Sequence, residues 1–131
     1  MREYNLFISH AWTYEHEYLN LVQKLSDAPY FYFKNYSVPK TNPLNTNTDY
    51  GLVRELYGQI RPCSIVIVIA GMYAKYRKWI QKEIEIANEL NKPILVIRPF
   101  GAERIPQELY NYNMVNWNTD SIIDGIKKFS L

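Results

Sequence analysis

Ser64-Ile65-Val66-Ile67-Val68-Ile69 is the most hydrophobic stretch of this 131-residue chain. Five consecutive residues, Ile65 to Ile69, are β-branched. Such side chains lose rotamer freedom in a helix and pack well on a pleated surface. No polar residue alternates with them, so both faces of the strand must be covered. A strand of that kind belongs in the middle of a parallel sheet.

On either side the chain alternates apolar runs with amphipathic ones. Downstream, Lys78 to Leu90 has helical spacing and Pro93 to Ile97 is a second β-branched strand. Tyr112 to Trp117 reads as a weaker, more polar strand, and Asp120 to Phe129 as a helix with Ile122, Ile123, Ile126 and Phe129 apolar. Upstream, Asp49 to Ile60 is helical, with Leu52, Val53, Leu56 and Ile60 on one side. Tyr4 to Ile8 and Tyr30 to Phe33 read as short strands, separated by a helix over Tyr14 to Leu25. Strands alternating with helices imply a parallel sheet covered on both faces. Five strands in this length predict a single α/β domain over residues 1–131, doubly wound and flavodoxin-like, with strand order 2-1-3-4-5. The polar stretch from Asn35 to Thr48 is longer than the usual connection and reads as a functional loop or a surface excursion.

Glu83 is the candidate functional residue. At about 100° per residue, Trp79, Ile80, Ile84, Ile86, Ala87 and Leu90 fall on one arc of the 78–90 helix, and Glu83 falls among them. A carboxylate there is costly unless it is paired, neutral or lining a cavity. Spacing alone leaves two readings open: a structural pair with a neighbouring element, or a site. In doubly wound sheets ligands bind outside the carboxyl ends of the strands. Those ends supply Ser9-His10-Ala11-Trp12, the long loop, Gly71-Met72-Tyr73 and Pro99-Phe100-Gly101.

Composition narrows the classes. A net charge of +2 gives no electrostatic case for nucleic acid or for an anionic membrane. The single cysteine, Cys63, excludes a disulfide framework and matches no zinc pattern. The start of the chain is no signal peptide, and the run from Cys63 to Met72 is too short to span a bilayer. A cytoplasmic protein is expected. The many aromatic residues pack a core and rim, or stack on a base or a pyridine ring.

Several doubly wound functions lack their residues here. A receiver domain needs carboxylates at the ends of its first and third strands; Ser9 and Ala70-Gly71 stand there. No glycine-rich turn follows the first strand and no nucleophile elbow exists. Two histidines, His10 and His16, are too few for a metal cluster; His10 reads as a site-edge or turn residue, and His16 as a surface one. What remains is one carboxylate, aromatic neighbours and a polar loop. One carboxylate suffices when the leaving group is already good. The nicotinamide of NAD⁺ is cationic and departs neutral, so no acid must protonate it. A carboxylate in a low-dielectric pocket can steady the ribose cation and orient its hydroxyls, and the two-carboxylate glycosidase layout is not required. Exclusion of water would favour capture from within and a cyclic product.

Leu6-Phe7-Ile8-Ser9-His10-Ala11-Trp12 resembles the first-strand motif of TIR-like domains. Ser37-Val38-Pro39 resembles the loop after their second strand, and Lys92-Pro93-Ile94-Leu95-Val96-Ile97 the strand after the helix of the catalytic Glu. Trp79-Ile80-Gln81-Lys82-Glu83-Ile84, with Ala87 three residues on, resembles the W-x-x-x-E-I-x-x-A helix of NAD⁺-consuming TIR enzymes. Across nearly its whole length the chain is similar to the TIR-like ThsB family of Thoeris anti-phage defence. The resemblance implies an NAD⁺ glycohydrolase or cyclase. Its ADP-ribose-type product would signal infection to a downstream effector. NAD⁺ would be substrate, with no further cofactor and no metal. Glu83 would be the catalytic carboxylate, with Phe7, Ser9, His10, Trp12, Tyr73 and Trp79 around the substrate. The competing reading is a non-catalytic TIR-like module that self-associates, through a patch such as Tyr73 to Lys78. A weaker third is a nucleoside deoxyribosyltransferase-like enzyme, which would also use a lone Glu at a sugar carbon.

Overall fold

The computed structural model describes residues 2–10, 16–37, 49–99, 101 and 104–131. Five strands form one parallel sheet: β1 (Glu3–Ile8), β2 (Tyr32–Asn35), β3 (Ile65–Ile69), β4 (Ile94–Ile97) and β5 (Asn113–Val115), in the order β2-β1-β3-β4-β5. The helices are α1 (His16–Asp27), α2 (Asp49–Ile60), α3 (Ala70–Lys75), α4 (Arg77–Glu89) and α5 (Thr119–Phe129). This is the doubly wound, flavodoxin-like arrangement that the strand count implies. Helices α1 and α5 touch each other on one side; α2 and α3 both pack on α4 on the other.

The β3 residues are all buried, as their unbroken apolar run requires. Their neighbours in register, Leu6 to Ile8 on β1 and Ile94 to Ile97 on β4, are buried as well. The core thus runs along β1, β3 and β4, closed by Leu21 and Leu25 of α1, Leu56 and Ile60 of α2, Ile80 and Ile84 of α4, and Ile122 and Ile126 of α5. Gly125 lets α5 lie close against the sheet. A Cβ there would lie 2.9 Å from Val115 Cγ1 and 3.1 Å from Leu95 Cδ2.

Local chemistry sets the helix ends. The Asn118 side chain accepts the Ser121 amide at 2.8 Å and caps α5, while Lys127 and Lys128 suit the negative end of its dipole. Helix α4 closes at Asn91, whose φ of 57° is tolerated by asparagine, and the Lys92 amide donates back to the Ala87 carbonyl at 2.8 Å.

Three boundaries differ from the sequence reading. The second strand lies over 32–35 and not Tyr30 to Phe33, because Tyr30 sits in a turn with φ 61°. The fifth is only Asn113–Val115, half the length expected from Tyr112 to Trp117. Gly71-Met72-Tyr73 is no loop at a strand end. The chain passes from β3 directly into α3, since nothing in Ala70-Gly71-Met72-Tyr73-Ala74 stops a helix, and Tyr76 alone separates α3 from α4. Among the described residues, no helix is long and apolar enough to cross a membrane.

Candidate functional site

Glu83 lies on the inward face of α4 beside Ile80, Ile84, Ile86 and Ala87, and is 2% exposed. Helix α4 carries it to the carboxyl end of β1. There the Ser9 hydroxyl, itself fully buried, donates to Glu83 Oε1 at 2.9 Å. Ser9 is held in turn by its backbone amide, which donates to the Ile67 carbonyl at 2.8 Å and so continues the β1–β3 ladder one residue past β1. The position of the carboxylate is therefore fixed by the two central strands. The hydroxyl donor fixes the orientation of the carboxylate. Held so in a low-dielectric setting, the group can steady a neighbouring cation or take a proton.

Trp79, one turn earlier on α4, is half-buried against the core, with Lys78 Nζ 5.9 Å from its ring. Phe7 is completely buried on β1, its ring centroid 6.1 Å from that of His10. Tyr73 is also buried, and its hydroxyl donates to Gln81 Oε1 at 2.8 Å, tying α3 to α4. It therefore forms no part of a surface patch over Tyr73 to Lys78, although Lys75, Arg77 and Lys78 are exposed. Ser9 meets Glu83 directly, Trp79 shares its helix, and Phe7 and His10 line the same end of β1. Trp12 and residues 38–48 of the long loop lie outside the described residues.

His10 belongs to a second buried arrangement. Its Nε2 is 2.7 Å from the Ser37 carbonyl, which can only accept, so the proton sits on Nε2. Its ring also meets Tyr18 edge-on at 5.2 Å. Burial pulls this imidazole down to about 4, against a smaller raising effect from the Ser37 hydrogen bond. At neutral pH it is uncharged and a poor base. Beside it three side chains close a ring of hydrogen bonds. Asn35 Nδ2 donates to the Tyr18 hydroxyl at 3.0 Å, Tyr18 Oη lies 2.9 Å from Ser37 Oγ, and the Ser37 hydroxyl donates to Asn35 Oδ1. The Ser37 amide also donates to Asn35 Oδ1, at 3.0 Å. This ring fastens the end of β2 to α1, at the point where the long loop begins.

A family model described as Thoeris protein ThsB, TIR-like domain, matches residues 7–104. The chain belongs to the ThsB TIR-like family. No curated protein matches the sequence. The ThsB match runs from the last two residues of β1 through β4 and includes both partners of the Ser9–Glu83 hydrogen bond; it ends before β5 and α5. The chain is thus a TIR-like module of a Thoeris defence family.

Sequence reasoning did not find two features near this edge. One is the Asn35–Tyr18–Ser37 ring, whose only signal is the Asn-x-Ser spacing of a side-chain-capped turn. The other is a cavity of about 420 Å³ lined by His16, Glu17, Asn20 and Lys24 of α1 with Ile69, Pro99 and Trp117. His16 is exposed, as its helical position suggested, but it stands on the rim of that cavity. Among the described residues, no group of three or more metal-ligating side chains comes together.

Proposed function

We propose that this ThsB-family chain cleaves the nicotinamide–ribose bond of NAD⁺ and that Glu83 is its catalytic carboxylate. The observation that carries the reading is a carboxylate buried at the carboxyl edge of the sheet, its Oε1 oriented by the Ser9 hydroxyl at 2.9 Å. The bond from ribose C1′ to the pyridinium nitrogen breaks, and its electron pair leaves with neutral nicotinamide. The ribosyl cation left behind is stabilised by the Glu83 carboxylate. Water, or a nucleophile within the same molecule, then bonds to C1′ and gives up its proton. Capture by water yields ADP-ribose; capture from within yields a cyclic ADP-ribose isomer. Either would serve as a signal to a separate effector in anti-phage defence.

One observation favours the second reading, a TIR-like module without catalysis. Glu83 is only 2% exposed, so substrate reaches it only if the edge opens. A single comparison separates the two. Wild-type chain and Glu83→Gln are incubated with NAD⁺, with and without lysate of infected cells, and nicotinamide is measured by mass spectrometry. Catalysis requires release by the wild type in at least one condition, and loss of about a hundredfold or more in a folded Glu83→Gln, in line with removal of a group that acts on the transition state. No release in either condition establishes the non-catalytic module. Turnover of deoxynucleosides in place of NAD⁺ would move the assignment to a deoxyribosyltransferase.

A further inference from the structure

The cavity beside α1 has the polar groups of a nucleotide site. Its volume of about 420 Å³ falls within the range of small-molecule sites. Ile69 closes β3, Pro99 follows β4 and Trp117 follows β5, so it opens at the carboxyl edge, where doubly wound sheets take ligands. His16, Asn20 and Lys24 recur every four residues along one stripe of α1, with Glu17 beside them. The buried side of the same helix is Tyr18, Leu21 and Leu25. The stripe is thus held facing the cavity by packing elsewhere on the helix.

Asn20 is the group that asks for a ligand. Its Oδ1 is buried and has no hydrogen-bond partner among the described residues. A buried acceptor that has lost its hydrogen bonds to water is costly unless something donates to it. A side-chain amide has the donor and acceptor spacing to pair with N6 and N7 of adenine. Trp117, half-buried against the core, offers a ring for a base to stack on. Lys24 and His16 stand ready for a phosphate. Glu17, which Lys75 meets at 3.3 Å, can accept from ribose hydroxyls.

We propose that this cavity binds an adenine nucleotide, with Asn20 reading the base, Trp117 stacking on it and Lys24 meeting the phosphate. Adenine nucleotide chemistry has two sources here: a free mononucleotide, or the adenosine half of the dinucleotide assigned to Glu83. Trp117 lies beyond residues 7–104, so the cavity is completed by a part of the chain outside the family match.

The test is calorimetric titration of the wild-type chain with AMP, UMP and CMP. AMP should bind at least tenfold more tightly than the other two. Asn20→Ala and Trp117→Ala should each weaken AMP about tenfold; if Asn20→Ala fails to fold, the isosteric Asn20→Asp should show the same loss. Lys24→Ala should weaken AMP but leave adenosine unchanged. Lys127→Ala is the control. It alters a separate hollow of about 330 Å³ at the amino ends of β1 and β2, lined also by Arg2, Tyr4, Tyr30 and Tyr32. Equal binding of the three mononucleotides overturns the proposal. So does an unchanged affinity in a folded Asn20 variant, or an equal loss in Lys127→Ala. Given AMP binding, competition with NAD⁺ on Glu83→Gln identifies the source. Mutual exclusion assigns the cavity to the adenosine half of the substrate, and simultaneous binding assigns it to a free nucleotide. A chain that binds AMP but never releases nicotinamide keeps this site and loses the Glu83 reading. Nicotinamide release without AMP binding does the reverse.

Discussion

Replacing His10 by glutamine should remove much of the acid sensitivity of the folded chain. The imidazole has an ordinary value of 6.5, and burial brings it to about 4 in the folded state. Above pH 6.5 both states leave the ring neutral, and it adds no pH dependence. Below that value the unfolded chain takes up a proton that the folded chain refuses. Stability then falls by about 1.4 kcal/mol for each pH unit, until the folded ring also protonates near pH 4. Over the whole window the loss is about 3 kcal/mol, a large share of the roughly 5–15 kcal/mol of a typical domain. His10 is fully buried, so solvent screening does not reduce the effect. Glutamine retains an N–H for the Ser37 carbonyl but cannot titrate. It also gives up the ring contact with Tyr18 at 5.2 Å, so the variant starts less stable at pH 7. Urea unfolding, followed by tryptophan fluorescence at pH 7, 6, 5 and 4, measures the gap between the two proteins. Carboxylates titrate in both chains and cancel in that difference. The wild-type advantage should shrink by about 3 kcal/mol between pH 7 and 4. A gap that stays constant with pH would refute the assignment of His10 as a ring kept neutral by burial.

Four further outcomes follow from the packing. Gly58→Ala, where an added Cβ meets nothing within 4 Å, should stabilise the fold by about 0.5–1 kcal/mol through helix propensity. Gly125→Ala gains the same propensity but must displace Val115 and Leu95, and should be destabilised by a net of about 1 kcal/mol; equal stabilisation of both variants in thermal unfolding would mean that α5 shifts freely. Burial pushes the Cys63 thiol up to about 12, so Ellman's reagent at pH 8 should label it only after unfolding, and rapid labelling of native protein would contradict the packing. Ser9→Ala strips a hydroxyl from a buried carboxylate and should cost roughly 2 kcal/mol in urea denaturation; an unchanged midpoint would mean that the hydroxyl does not hold Glu83.

The legible parts were those where one periodicity dominates. The Ile65–Ile69 run declared a strand covered on both faces, and the sheet order followed from counting strands against helices. The inward place of Glu83 was readable because a charge among Trp79, Ile80, Ile84 and Ala87 breaks the pattern of a 3.6-residue repeat. Its hydrogen bond to Ser9 was not readable, since the partners are 74 residues apart and meet only through the register of β1 on β3. The same holds for His10, whose contacts with Tyr18 and the Ser37 carbonyl join residues far apart in the chain. Tyr30 misled because aromatic residues favour strands, whereas its backbone takes a turn. The cavity beside α1 was invisible because His16, Glu17, Asn20 and Lys24 read as an ordinary solvated helix face. Ile69, Pro99 and Trp117, brought in from the ends of other strands, turn that face into the wall of a cavity.

The two outermost strands of the sheet carry a consequence for how copies of the chain could meet. A sheet margin offers a row of unmet backbone donors and acceptors, on which another chain can add a strand. Here those margins are four residues long at Tyr32–Asn35 and three at Asn113–Val115, and Lys34 stands exposed on the first. Rows that short, one of them guarded by a cation, provide too few rungs to template a neighbour. Growth by backbone pairing is thereby discouraged at both rims, and any filament or dimer of this module is left to form through side chains and helix surfaces.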